Sequence, residues 1–169
     1  AHANLFDIFQ VTPRLVITAP MRNCGKTVTL SVLQAMTNRS LATDNITPAA
    51  FVRLSGQERL TFFWDEADLI FGRGGDRNIT AALDGGYKQG GMFIKTVGDN
   101  HTPTAFPTHC GVALAGINLD RKLPDQILDR SIFVRMQRAM AGQLQERFRD
   151  RKHLPIFRQH GERLLRWCN

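Results

Sequence analysis

Cys24-Gly25-Lys26-Thr27 is the densest chemical signal in the sequence. A glycine, a lysine and a hydroxyl residue stand where an apolar run gives way to an amphipathic one, and that combination suits a polyphosphate. Gly25 lets the backbone approach closely, the Lys26 ammonium would reach the β and γ phosphates, and the Thr27 hydroxyl would coordinate Mg²⁺. A tight loop feeding a helix adds unpaired N–H groups and the positive end of the helix dipole. The expected nucleotide-binding set is therefore Pro20, Met21, Arg22, Asn23, Cys24, Gly25, Lys26, Thr27 and Val28. Pro20 stands where G-x-x-x-x-G-K-[ST] has glycine; with φ fixed near −65° and no N–H, that corner of the loop is not the usual one. Taken alone, the four residues are equally consistent with a solvated turn before a helix.

The second cluster is Asp65-Glu66, 39 residues after Lys26, at the end of the apolar run 60–64. In P-loop ATPases the first acid of such a pair holds Mg²⁺ through its water shell and the second polarises the attacking water. The plainer alternative is a strand ending in a solvated Asp-Glu-Ala-Asp turn. A third polar residue, Asn118, ends the apolar run 110–117, and it would lie beside the acids if the two strands are neighbours, placed to hold the lytic water or the γ phosphate.

These groups need a scaffold that delivers them to one place. Residues 15–17 read as a buried strand, and Val28, Leu30, Val32, Leu33 and Met36 recur with helical spacing after the loop. Further strands are expected at 38–44, 60–64, 110–117 and 131–136, with helices at 47–54, closed by Gly56, at 76–89, and from 123 to 130. Thr47-Pro48 has the form of an N-cap and first helical position. Residues 92–97 and a return strand including 104–106 form a β-hairpin turning at 98–100, after a loop at 72–75. Residues 2–10 carry Leu5, Phe6, Ile8 and Phe9 as a short amphipathic helix. Apolar strands alternating with helices predict an α/β fold with a parallel sheet, in which 60–64 and 112–117 flank 15–18.

Composition bounds the rest. A chain of 169 residues, 43% hydrophobic, suits one domain with a sizeable core. Apolar runs fall far short of the roughly 18 residues of a membrane span, and no signal-peptide pattern opens the chain; the cytoplasm is the expected compartment, without a membrane partner. The absence of a starting methionine suggests a piece of a larger protein. Cys24, Cys110 and Cys168 form no C-x-x-C, which argues against a zinc site or a disulfide framework. Residues 1–120 hold ten Lys/Arg and ten Asp/Glu, whereas 121–169 hold twelve and five, so the whole net charge of +7 sits in the C-terminal part. That is either a solvated helical surface or one that meets phosphates. Lys88 and Lys95 flank the hairpin and could touch a nucleic-acid backbone, although a hairpin packing on another subunit is equally consistent.

The ordered set T-A-P-x-x-x-C-G-K-T, N-I-T-P-A-A, W-D-E-A-D, G-Y-K-x-G-G, V-G-D, A-L-A-G-I-N and L-P-D-x-I-L-D-R-S-I, covering about residues 1–150, resembles an uncharacterised P-loop ATPase family of bacteria, phages and mobile elements whose members often sit behind a primase module. That family in turn resembles the AAA+ and superfamily 3 helicase group. The resemblance implies an ATPase core over 1–140 with a hairpin insertion, and a basic helical extension over 141–169 that begins a truncated lid. It implies Lys26 and Thr27 on ATP and Mg²⁺, Asp65 and Glu66 as the Walker B pair, Asn118 as sensor, and Arg130 as an arginine finger given to a neighbour, with Arg135 and Arg138 as lesser candidates. The implied function is the motor of a DNA helicase or primase-helicase, working as a ring on single- or double-stranded DNA; the alternative is a switch or assembly ATPase that moves no nucleic acid.

Overall fold

Strands without charged residues inside them can be buried on both faces only in a sheet covered by helices on both sides, and the chain builds such a sheet. The computed structural model describes residues 8–58, 60–72, 75–99, 101–140, 142–143 and 146–168. Its elements are β1 (Arg14–Ala19), α1 (Lys26–Ala35), β2 (Ser40–Thr43), α2 (Pro48–Glu58), β3 (Thr61–Trp64), α3 (Ala67–Ile70), α4 (Arg77–Gly85), β4 (Met92–Val97), β5 (Thr102–Pro107), β6 (Gly111–Ile117), α5 (Asp125–Leu128), β7 (Ser131–Arg135) and α6 (Asp150–Cys168). Five strands form one parallel sheet in the order β2-β3-β6-β1-β7, and β4 and β5 pair as a separate antiparallel hairpin. The architecture is α/β, compatible with a Rossmann- or P-loop-like core.

The strand order corrects one expectation. β6 does flank β1, but the other neighbour of β1 is β7, and β3 lies one strand further out, beyond β6. Side-chain size decides this: β6 is almost wholly buried and carries Ala113, Ala115 and Gly116, so it fits the middle of the sheet. β7, with Ile132 and Val134 exposed, takes the edge. Trp64 pairs with Leu114, and Leu114 with Val16. The parallel strands β3, β6 and β1 therefore end at one edge.

Alternation along the strands divides the core between the two faces. Val16, Phe62, Trp64, Val112 and Leu114 pack against Phe51 and Val52 of α2 and Ile79, Ala82 and Leu83 of α4. Ile17, Phe63, Ala113 and Ala115 meet Leu30 of α1. Phe51 stands edge-on to both Phe62 and Trp64, with ring centroids 4.9 and 5.2 Å apart, a geometry that adds about 0.5–1.5 kcal/mol per pair beyond burial. Trp64 is fully buried immediately before Asp65. It fixes where the acids emerge.

Element ends follow local chemistry. The Thr47 hydroxyl accepts the Ala50 N–H at 3.2 Å, as an N-cap should, but α2 runs on through Gly56 to Glu58. Gly56 instead lies under Pro107, where an added Cβ would come 3.1 Å from the ring. Asp76 caps α4 through the N–H groups of Asn78 and Ile79. That helix stops at Gly85, short of residue 89, because the following backbone turns to bond the N-terminal segment: Thr12 N–H donates to the Tyr87 carbonyl and Gln89 N–H to that of Gln10. α6 lies on α1 at Gly161, where a Cβ would sit 2.8 Å from the Met36 Cα. The expected helix at 2–10, the 72–75 loop, the 98–100 turn and the 141–169 extension fall partly outside the described residues. Among the described residues, no helix is long and apolar enough to cross a membrane.

Candidate functional site at the carboxyl edge of the sheet

The loop after β1 is built from two left-handed residues and one buried anchor. Asn23 (φ 59°) and Gly25 (φ 81°) both take positive φ. Cys24 between them is buried, its thiol 3.6 Å from the Arg22 carbonyl. That anchor leaves Pro20, Met21, Arg22 and Asn23 exposed. Gly25 is the N-cap of α1, and the first helical bond joins Thr29 N–H to the Gly25 carbonyl at 2.9 Å. The N–H groups of Lys26, Thr27 and Val28 therefore have no acceptor within the helix, and no acidic residue occupies the first turn. The Lys26 ammonium donates to the Met21 carbonyl at 3.0 Å and so folds back over the loop. Thr27 is exposed, and so is Val28, which the helical spacing had placed on the apolar face. Behind the loop, Met136 approaches Gly25 with its methyl 3.5 Å from where a Cβ would be, and its N–H bonds the Thr18 carbonyl.

Asp65 and Glu66 follow β3 on the same edge. Asp65 N–H bonds the Thr43 carbonyl, extending the β2–β3 ladder by one residue, and its Oδ1 accepts the Glu66 N–H at 2.9 Å. That turn puts Glu66 in the left-handed region, at φ 49°, with its side chain exposed. Asn118, after β6, is also left-handed, at φ 53°. It is tied to β1 by its own N–H to the Ala19 carbonyl and by Leu119 N–H to the Thr18 hydroxyl at 3.0 Å. Left-handed backbone costs an L-residue roughly 1–2 kcal/mol, less for asparagine. Of the five non-glycine residues with positive φ among those described, Asn23, Glu66 and Asn118 share this edge. Strain concentrated this way marks a place where position outweighs local comfort.

The Asp-Glu-Ala-Asp run is solvated at Glu66 and in part at Asp65, but its second half is not. Ala67 is buried and opens α3, and Asp68 turns inward to accept the Ile117 N–H at 3.0 Å and to pair with Lys122 at 3.1 Å. Burial would raise its pKa, but the Ile117 and Lys122 contacts outweigh that and hold the carboxyl below its ordinary 3.8. The sequence reading missed Asp68, Lys122 and the Thr18 hydroxyl. The available signal was Gly116, a glycine inside an otherwise buried strand, which marks a close approach to the backbone.

Among the described residues, no three of His, Cys, Asp and Glu converge to hold a metal. Mg²⁺ bound together with a triphosphate takes only one or two protein oxygens, the rest coming from phosphate and water. The Thr27 hydroxyl and the Asp65 carboxylate fit that donor set.

Of the remaining candidates, Arg135 also reaches this edge, opposite Thr18 at the end of β7, whereas Arg130, Lys88 and Lys95 lie elsewhere. Arg130 sits just before β7 at the opposite, amino edge of the sheet, where its carbonyl accepts the Arg14 N–H. Its guanidinium pairs with Asp84 and lies 5.1 Å over the Tyr87 ring, so it is held within its own chain. Arg135 ends β7, its guanidinium 5.2 Å from the centre of the Phe133 ring, and Arg138 is exposed beyond it. Lys88 and Lys95 are both exposed, Lys88 in a bridge to Val11 and Lys95 on β4. No family model matches the chain, and no curated protein matches it.

Proposed function

We propose that the chain binds a nucleoside triphosphate, ATP in the first instance, at the carboxyl edge of its sheet and hydrolyses it. The observation that carries this reading is convergence: an uncapped helix start bearing Lys26, the Asp65-Glu66 pair and Asn118 lie at the ends of strands that terminate together, where open α/β sheets take their ligands. The loop and helix N–H groups would cradle the phosphates, and Lys26 would leave Met21 to neutralise them. Mg²⁺, held by Thr27 and Asp65, would supply charge stabilisation at the β and γ oxygens. Glu66 would take a proton from the attacking water as its oxygen bonds to the γ phosphorus and the bond from that phosphorus to the β–γ bridging oxygen breaks, releasing ADP and inorganic phosphate, and Asn118 would orient that water or the γ phosphate. Phosphoryl transfer requires positioning and electrostatics more than covalent chemistry, which suits side chains fixed by strained backbone.

Within a larger protein this domain would be the motor of a DNA helicase or primase-helicase. Support comes from the basic residues of 121–169 and from the exposed Lys88 and Lys95. In a ring, Arg130 would serve a neighbour's nucleotide only after leaving Asp84 and Tyr87. ATP binding and turnover of the wild type and of Lys26→Ala and Glu66→Gln, with and without single-stranded DNA, test the reading. Turnover lost in both variants and raised by DNA supports a motor, turnover indifferent to DNA supports a switch ATPase, and wild-type protein that neither binds nor hydrolyses triphosphate overturns the proposal.

A further inference from the structure

β6 outruns β3 at the candidate site. Their pairing ends at Trp64 opposite Leu114, so the last three residues of β6 have no strand on that side. Ile117 N–H would be left without a ladder partner there, and the Asp68 carboxylate takes the place of the missing strand at 3.0 Å. The same carboxylate pairs with Lys122, beyond the turn of Leu119–Arg121. Asp68 thus holds the chain on both sides of Asn118: the backbone N–H of Ile117 just before it and the side-chain ammonium of Lys122 four residues after. The fit is close, because a Cβ on Gly116 would stand 2.6 Å from Asp68 Oδ1 and 3.0 Å from its N–H. Only glycine leaves room for the carboxylate at that point.

Asp68 belongs to the turn that carries Asp65 and Glu66. We infer that Asp68 is a positioning residue, which locks the turn bearing Glu66 to the strand end bearing Asn118 so that the two keep a fixed separation across the site. This rests on the hydrolytic reading for its consequence, but the lock itself is a property of the fold. Its depressed pKa agrees with a carboxylate engaged by an N–H and an ammonium. Loss of the lock would let the two left-handed residues relax independently, and misplacement of a catalytic group by about 1 Å can cost on the order of 10²-fold in rate.

Four variants test it: Asp68→Ala, which removes both contacts; Asp68→Asn, which keeps an acceptor for Ile117; Gly116→Ala, which displaces the carboxylate; and Lys122→Ala. Two readouts are taken on the same samples, ATP turnover beside affinity for a non-hydrolysable triphosphate, and backbone hydrogen exchange resolved by segment. Asp68→Ala and Gly116→Ala are expected to lower kcat by about 10²-fold with triphosphate affinity little changed, and to speed exchange over 65–70 and 115–119 together. Asp68→Asn should retain most of both, the rescue that bulk loss of stability would not give. Lys122→Ala should fall between. If exchange accelerates in neither segment in Asp68→Ala, or in one alone, the inference is overturned whatever the turnover. If exchange accelerates in both while the wild type shows no hydrolysis, the lock stands and the ATPase reading falls.

Discussion

The two edges of the sheet treat their polar groups in opposite ways. At the amino edge the two arginines are engaged within the chain: Arg14 is buried and donates to the carbonyls of Cys110 and Leu83, each at 2.6 Å, while Arg130 holds Asp84 and lies over Tyr87, although Arg14 Nε and the Thr61 and Thr108 hydroxyls are buried there without a partner among the described residues. Burial lowers the Arg14 pKa from its ordinary value, with the charges of Cys110 and Asp84 opposing the shift. It also pushes the Cys110 thiol up to about 11, which leaves that thiol inert near neutrality. At the carboxyl edge the helix start is uncapped, Glu66 is exposed, and three residues are held in left-handed backbone. Cations engaged by their own chain contribute stability; donors that face solvent are available for a ligand.

The largest way to break this contrast is Glu66→Gln. It should lower ATP turnover by about 10²–10⁴-fold, the usual share of a general base, while leaving the melting temperature and triphosphate affinity close to wild type. Normal turnover in Glu66→Gln would remove the water-activating role. Lys26→Ala should abolish triphosphate binding, measured by calorimetry, again without loss of fold.

The amino edge should answer in the other currency. Arg14→Ala leaves two buried carbonyls without their donor and a void beside them, and each unmet buried group costs about 1–3 kcal/mol. A loss of about 3 kcal/mol in chemical denaturation is expected, and a loss under about 1 kcal/mol would mean that water replaces the guanidinium.

Arg130→Ala should cost much less, about 1 kcal/mol, because its ion pair is partly solvated and the ring contact adds only a fraction. If Arg130 also serves a neighbour, mixing Arg130→Ala with Lys26→Ala subunits should restore some turnover, since one interface can then hold an intact Lys26 and an intact Arg130. No recovery in protein shown to be oligomeric would leave Arg130 with its structural role alone.

Two smaller effects sharpen the comparison. Asp68 carries a lowered pKa, so its stabilising contribution is complete above the ordinary 3.8 and is lost as pH falls through the folded-state value. The melting temperature should therefore fall more steeply on acidification below about pH 4 in the wild type than in Asp68→Asn. Equal slopes would mean that the carboxylate is not engaged in solution. Glu66→Gly should change stability by less than about 1 kcal/mol, because relief of the left-handed backbone roughly offsets the greater freedom of glycine in the unfolded chain. A larger loss in denaturation would show that the Glu66 side chain stabilises the fold.

Local chemistry alone determined a good deal of this protein. The hairpin strand at 92–97, the Thr47 cap and the buried strands ahead of Asp65 and Asn118 are all legible because turn residues, capping side chains and apolar runs act over a few neighbours. The candidate groups Lys26, Asp65, Glu66 and Asn118 were legible for the same reason: each follows a strand whose buried character fixes where it ends. Strand order was not legible. Whether β3 or β7 lies beside β1 depends on which strand fits the middle of the sheet, and the small side chains of β6 decide that only once all five strands compete for places. The partners of Asp68 and Arg130 were equally hidden, because Ile117, Lys122 and Asp84 are 49, 54 and 46 residues away in the chain, and no local pattern records which carboxylate will meet which cation. Sequence specifies the groups and the elements that carry them; folding decides which become structural, by the physical requirement that buried donors and charges find partners.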